Sequence, residues 1–172
     1  MTVDFPDDPV GEFPRPPREI EDGAGRAITL REGQSGDLEA LVEMYVEFNP
    51  EDRAQGIPPG NESDVREWLE AVSGGESLTV IGIHEDVVGH GMLVPDPEGS
   101  FELALFVLRD YQGAGIGTEL LRTLLGLGQD RGVERVWLSV ERWNDPAIAV
   151  YKKVGFERVG SASFELEMAM RL

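Results

Sequence analysis

Residues 101–130 read FELALFVLRDYQGAGIGTELLRTLLGLGQD, and a change of period inside this stretch decides the fold. Residues 101–108 form a strongly apolar run of strand length after a turn at 95–100. From Ile116 to Asp130 the apolar positions Ile116, Leu120, Leu121, Leu124 and Leu125 follow helical spacing. Gly132 then stands where a helix ends in the left-handed conformation. Between strand and helix lies Gln112-Gly113-Ala114-Gly115-Ile116-Gly117. Glycine lets the backbone approach a bulky ligand without a Cβ in the way. The free N–H groups of a helix start, with the macrodipole behind them, favour a phosphate. A diphosphate is the natural guest of such a turn. In isolation the glycines fit equally well a tight turn ahead of a closely packed helix. Counting from Gly113, Thr118 stands where a dinucleotide fingerprint wants its third glycine, and no Gly-Lys-Ser/Thr P-loop is present.

Working outward, residues 27–31 read as a first strand. Ser35 or Asp37 is placed to cap a helix carried by Leu38, Leu41, Val42, Tyr45 and Phe48. Residues 49–60, with three prolines and two glycines, read as a loop, and 62–72 as a second helix. Strand signals at 78–84 and 87–94 flank a hairpin turn at Glu85-Asp86. After the central helix come a strand at 133–141, a short helix at 146–154 stopped by Gly155, and closing strands at 156–160 and 164–171. The order β-α-α-β-β-β-α-β-α-β-β predicts one α/β domain (α+β in some schemes) over 27–172, with a mixed sheet of about seven strands and about four helices. Residues 1–26, rich in proline and acid, predict a flexible, loosely draped arm.

Composition narrows function. The 172 residues fit a single domain. A net charge of −18 excludes a nucleic-acid binder that relies on phosphate contacts. Absence of cysteine excludes disulfides, thiolate metal sites and a cysteine nucleophile, and two histidines argue against a zinc centre, so no metal is expected. No apolar run reaches membrane-spanning length, and the first residues lack an apolar signal region, so a cytoplasmic, membrane-free protein is expected. Two lysines against thirteen arginines, in so acidic a chain, resemble proteins of halophilic archaea. The alternative is an acidic face that attracts a cationic substrate. Residues 105–158 carry a net charge of only +1 and leave −19 for the rest, which suggests a local anion site.

Twenty-seven residues beyond Gly117 the chain reads Asn144-Asp145-Pro146-Ala147-Ile148-Ala149-Val150-Tyr151-Lys152-Lys153-Val154-Gly155-Phe156. Together, Gln112-x-x-Gly115-x-Gly117 and this segment resemble the two signatures of the GNAT N-acetyltransferase superfamily. The likeness covers residues 101–156. One departure is Arg109, where the family often has proline.

The resemblance implies acetyl-coenzyme A as cosubstrate and direct transfer of acetyl to a primary amine through a tetrahedral intermediate. It implies that backbone N–H groups of Gly113, Ala114, Gly115, Ile116, Gly117 and Thr118, opened by Gln112, hold the pyrophosphate. It implies that the backbone of Leu105, Phe106 and Val107 pairs with the pantetheine arm, with an N–H near Phe106 or Val107 meeting the oxyanion, and that Asn144 contacts the coenzyme. Tyr151 becomes the acid beside the departing sulfur, and Glu102 a candidate general base. Glu141 and His90 are weaker candidates for that base. Asp145 is placed to cap the helix, which equally suits Asn144, while Pro146 occupies its first turn. In this family the acceptor pocket is implied around 49–61 and 160–164, with Glu47, Glu51, Asp52 and Glu62 available to a cation, and dimers are common. Acceptor classes left open are small amines and protein N-terminal or lysine amines. The subfamily acting on ribosomal-protein alanine places a glutamate where this chain has Ser139. A catalytically silent coenzyme-A-binding module is the competing reading.

Overall fold

The computed structural model describes residues 3–48, 58–162 and 164–172. Its elements run β1 (Arg18–Glu21), β2 (Ala27–Glu32), α1 (Leu38–Val46), α2 (Glu62–Val72), β3 (Leu78–His84), β4 (Asp86–Pro95), β5 (Phe101–Val107), α3 (Ile116–Asp130), β6 (Arg135–Glu141), α4 (Asp145–Val154), β7 (Glu157–Ser161) and β8 (Glu165–Arg171). The strands form one mixed sheet in the order β1-β2-β3-β4-β5-β6-β8-β7. This is the expected α+β domain with four helices and one strand more than the sequence predicts.

That extra strand is a correction. Residues 18–21, expected within a flexible arm, form β1 and pair antiparallel with β2. The preceding residues are packed as well. Phe13 is buried, and its N–H donates to Gln129 Oε1 at 2.9 Å. A Cβ on Gly126 would run into the Pro14 carbonyl, so only glycine on α3 admits this crossing strap. Composition signals disorder when a segment cannot bury enough apolar surface. Here Phe13, the Arg15–Asp130 and Arg18–Glu119 pairs, and hydrogen bonds to α3 and the sheet tie the segment down.

Helix α3 lies on one face, with Ile116, Leu120, Leu121, Leu124, Leu125 and Leu127 at most 3% exposed. Its seat is cut by glycines. A Cβ on Gly89 or Gly91 of β4 would come within 3.1 or 3.0 Å of Leu120 or Leu124. His90 between them points to the other face. The helix ends as predicted: Gly132 has φ +78°, with Val133 N–H on Gly128 O at 2.9 Å and Gly132 N–H on Gln129 O at 3.3 Å, the Schellman pattern. Helices α1 and α2 cover the opposite face through Leu41, Val42, Met44, Tyr45, Val65 and Leu69, over Ile81 and Val87. Neither Ser35 nor Asp37 caps α1 with its side chain; the Asp37 carboxylate instead accepts from the Gln34 N–H and pairs with Arg31 at 2.8 Å.

The sheet opens between β5 and β6. These parallel strands pair only at Phe101–Val136 and Glu102–Trp137, and no pairing follows toward Val107. On its other side β5 stays paired with β4 along its whole length. The gap lies where β5 runs into the glycine-rich turn.

Candidate active site

A cleft of about 320 Å³ occupies this opening. Its walls are Leu105 and Val107 of β5, then Gln112, Gly113, Gly115, Gly117 and Thr118 at the entry to α3. Asn144, Pro146, Ala147, Val150 and Tyr151 close it from α4. The two sequence signatures, far apart along the chain, face each other across one space.

The β5 wall is backbone. Leu108 N–H donates to Val88 O at 2.9 Å. In an antiparallel ladder the partners alternate, so even-numbered residues of β5 spend their N–H and C=O groups on β4. Residues 103, 105 and 107 therefore turn theirs toward the gap. Gln112 donates from Nε2 to the Val107 carbonyl at 2.9 Å, tying the end of the strand to the start of the turn. The side chain of Phe106 points the other way, into an aromatic cluster with Tyr45, Phe48 and Trp68.

The turn presents amides. Gly113 and Gly115 have φ of +74° and +87°, a region costly to residues with a Cβ. The first helical bond of α3 runs from Glu119 N–H to Gly115 O at 3.2 Å. The N–H groups of residues 115–118 therefore have no partner within the helix. Gly117 lines the cleft with negative φ, and any side chain there would stand in the ligand's space. Ala114 and Ile116 do not line the cleft. Ile116 is 1% exposed beneath the helix, so what it offers a ligand is its amide alone.

On the third wall Asn144, rather than Asp145, is the N-cap of α4: its Oδ1 accepts from Ala147 N–H at 3.3 Å. Asp145 is instead the first helical residue. Tyr151 packs edge-on against Phe156, with ring centroids 5.8 Å apart. Its hydroxyl has no hydrogen-bond partner among the described residues, and burial pushes its pKa up to about 12. The phenol therefore stays protonated throughout the neutral range. Pro146, Ala147 and Val150 complete this wall, and none of the three was among the expected site residues.

Glu102 stands apart from this assembly. It lies on β5 before the strands part, on the face opposite Leu105 and Val107. Partial desolvation raises its pKa above the usual carboxylate value, and the nearby Asp96 and Glu165 charges add to this. His90 is fully buried on that same face, its Nδ1 2.7 Å from the Tyr45 hydroxyl and its Nε2 without a partner among the described residues. Burial lowers its pKa to about 3, so it is a neutral structural group and not an accessible base. Glu141 sits directly across from Glu165 in the β6–β8 ladder.

Of the residues expected around the acceptor, 49–57 (with Glu51 and Asp52) lie outside the described residues. Glu62 begins α2 and reaches Arg66 at 3.4 Å, while Glu47 lines a separate hollow with His84, Glu85 and Tyr111. Phe164 forms an exposed aromatic pair with Trp143, centroids 6.3 Å apart, next to Asn144. No group of side chains suited to a metal ion occurs among the described residues. No helix among them is long and apolar enough to cross a membrane.

The architecture recurs in solved acetyltransferases. The GNAT domain of S. lividans PAT superposes with a TM-score of 0.77 at 17% identity, over 91% of this chain and 97% of that one. A GNAT-superfamily phosphinothricin acetyltransferase from Sinorhizobium meliloti, in complex with AcCoA, gives 0.70 at 21% identity, over 84% and 88%. The family follows from the sequence: residues 38–156 match the acetyltransferase (GNAT) family, and the chain belongs to it. An uncharacterized N-acetyltransferase of Mycobacterium tuberculosis is 36% identical over 81 residues, 46% of this chain. The match spans about half the length of that relative (52%).

Proposed function

We propose that this protein transfers the acetyl group of acetyl-coenzyme A to a primary amine. The supporting observation is that one cleft joins unspent amides at the start of α3, an unpaired edge of β5 and the free hydroxyl of Tyr151. Amides of 113–118 hold the diphosphate, with the helix dipole behind them. The edge of β5 at Leu105 and Val107 pairs with the amide-bearing arm as an added strand would. Thr118 also borders a second hollow, where Arg122 and Lys153 are cations suited to the nucleotide end and stand beside Glu12 and Glu119, the latter 3.4 Å from Arg122. Membership of a family with a solved acetyl-coenzyme A complex agrees with this reading.

The amine attacks the thioester carbonyl from the Glu102 face of β5, a new C–N bond forms, and charge gathers on the carbonyl oxygen. The Val107 N–H, turned into the gap, is placed to meet that oxygen. Collapse breaks the C–S bond. A phenol near 12 is a weaker acid than a thiol near 8.5. Tyr151 therefore steadies the departing sulfur as a hydrogen-bond donor and shares its proton rather than surrendering it outright. The amine's proton leaves through a relay of water with Glu102, five residues from Val107 along β5, at its far end, and the raised pKa of that carboxyl improves it as a base.

Release of free thiol from acetyl-coenzyme A, screened against small amines, polyamines and peptide amino termini in concentrated salt, tests the proposal. Thiol release with an amine supports transfer. Stabilisation by the coenzyme without release under any amine favours the silent binding module. The charge of −18 is part of the same reading, as adaptation to concentrated salt.

A further inference from the structure

The glycine-rich turn is held from outside by a second turn, residues 22–26, which joins β1 to β2. Gly23 N–H donates to Ala114 O at 2.8 Å. The donor is itself fixed. Gly25 N–H closes a β-turn on Asp22 O at 3.0 Å. The buried Asp22 carboxylate accepts from Ala24 N–H at 3.0 Å, Arg26 N–H at 2.8 Å and Arg26 Nε at 2.7 Å. The Arg26 guanidinium then lies 4.1 Å above the Tyr111 ring and donates to Asp110 O at 3.3 Å, just ahead of the glycine turn.

The geometry has a direct consequence. In a trans peptide the C=O and the following N–H point in opposite directions. Ala114 C=O and Gly115 N–H belong to one peptide unit, which leads into Gly115 at φ +87°, a glycine whose freedom would otherwise let the unit rotate. Fastening the Ala114 oxygen to Gly23 outside the cleft aims the Gly115 N–H the other way, toward the cleft that Gly115 lines.

We propose that the 22–26 turn is a positioning element for phosphate recognition: Gly23, locked by Asp22, holds the Ala114–Gly115 peptide with its N–H presented to the coenzyme's diphosphate. The inference rests on the reading that this turn binds a diphosphate. Its role is distinct from general support, because it acts on one peptide and one part of the ligand.

Gly23→Pro tests it. Gly23 is the second residue of the turn, where proline is favoured, and Asp22 before it is at the end of a strand. The substitution keeps the turn, deletes the N–H and sets the ring Cδ against the Ala114 oxygen, so the Ala114–Gly115 peptide has to turn away. Calorimetric titration with coenzyme A, and with pantetheine, which lacks the diphosphate, provides the readout. Gly23→Pro should weaken coenzyme A about tenfold and leave pantetheine within about twofold. Asp22→Asn, which loosens the lock while keeping an acceptor, should shift coenzyme A by a few-fold in the same sense, and decides the matter if the proline variant does not fold. Equal losses for both ligands, or unchanged coenzyme A affinity in both variants, would overturn the proposal. If the wild type bound coenzyme A no more tightly than pantetheine, the diphosphate reading itself would fail, a result recognisable before any variant is made.

Discussion

Strand β5 has two faces, and they are built on different principles. Toward α3, Leu105 and Val107 border a cleft whose ligand-facing groups are mostly backbone: strand edge, glycine amides and a helix N-terminus. Toward α1 and α2, Glu102 and Phe106 meet side chains: the Tyr45–His90 pair, aromatic rings and carboxylates. Backbone recognition constrains sequence through glycine spacing and strand-to-helix order. Side-chain recognition depends on which residues the tertiary fold assembles. The first face therefore asks little of side-chain identity, and the second depends on it.

The largest separation of the two faces should come from acid. His90 binds its proton in the unfolded chain near pH 6.5 but only at about 3 when folded. Stability linked to it is complete above about 6.5 and is lost as pH falls toward 3, by up to about 1.4 kcal/mol per pH unit. Denaturant titrations of wild type and His90→Gln across this window should show the steeper fall in the wild type. Parallel slopes would mean that His90 is not held neutral.

On the cleft face, Tyr151→Phe should lower turnover about a hundredfold with coenzyme A affinity nearly unchanged, read by steady-state kinetics and calorimetry. A collapse of affinity instead would make Tyr151 a packing residue. Gly115→Ala should cost about 1–2 kcal/mol of stability by forcing alanine into the left-handed region. A Cβ there meets nothing within 4 Å, so the loss arises from backbone strain and should be accompanied by weaker coenzyme binding.

Glu102→Gln should produce a smaller, two-part effect. As a base Glu102 must be ionised, so the acid limb of kcat/KM should flatten in the variant. Folding raises this carboxyl's pKa, so the folded state disfavours its charge. Stability linked to it falls as pH rises through the folded pKa, and the variant should melt slightly higher at pH 7, the gap closing in acid. The smallest effect tests the surface as a whole. Molar potassium chloride should raise the melting temperature, because screening shortens the reach of repulsion within a chain of charge −18.

Much of the cleft was legible because local rules fixed it. The helical period of Ile116, Leu120, Leu121, Leu124 and Leu125 placed α3 at its observed bounds, and Gly132 ended it by the expected geometry. Gln112 through Thr118 and Asn144 through Tyr151 were set against one ligand through their resemblance to the two signatures of the family, which spacing alone did not supply. Asn144 displaced Asp145 as the cap because its side chain, one residue earlier, reaches the Ala147 amide. The contacts of residues 13–26 were not legible because proline and acid say little about a segment whose partners are Gly126, Gln129 and Ala114, roughly a hundred positions away.

By itself the sequence determined the order of elements from β2 onward, the family signatures and the groups able to hold a phosphate, since each depends on neighbours within a few residues. Only the tertiary structure decided that β5 parts from β6 to expose its edge, that His90 is sealed away and neutral, and that Gly23 grips the Ala114 carbonyl. Those outcomes depend on strand register, burial and contacts between distant segments, which no local pattern encodes.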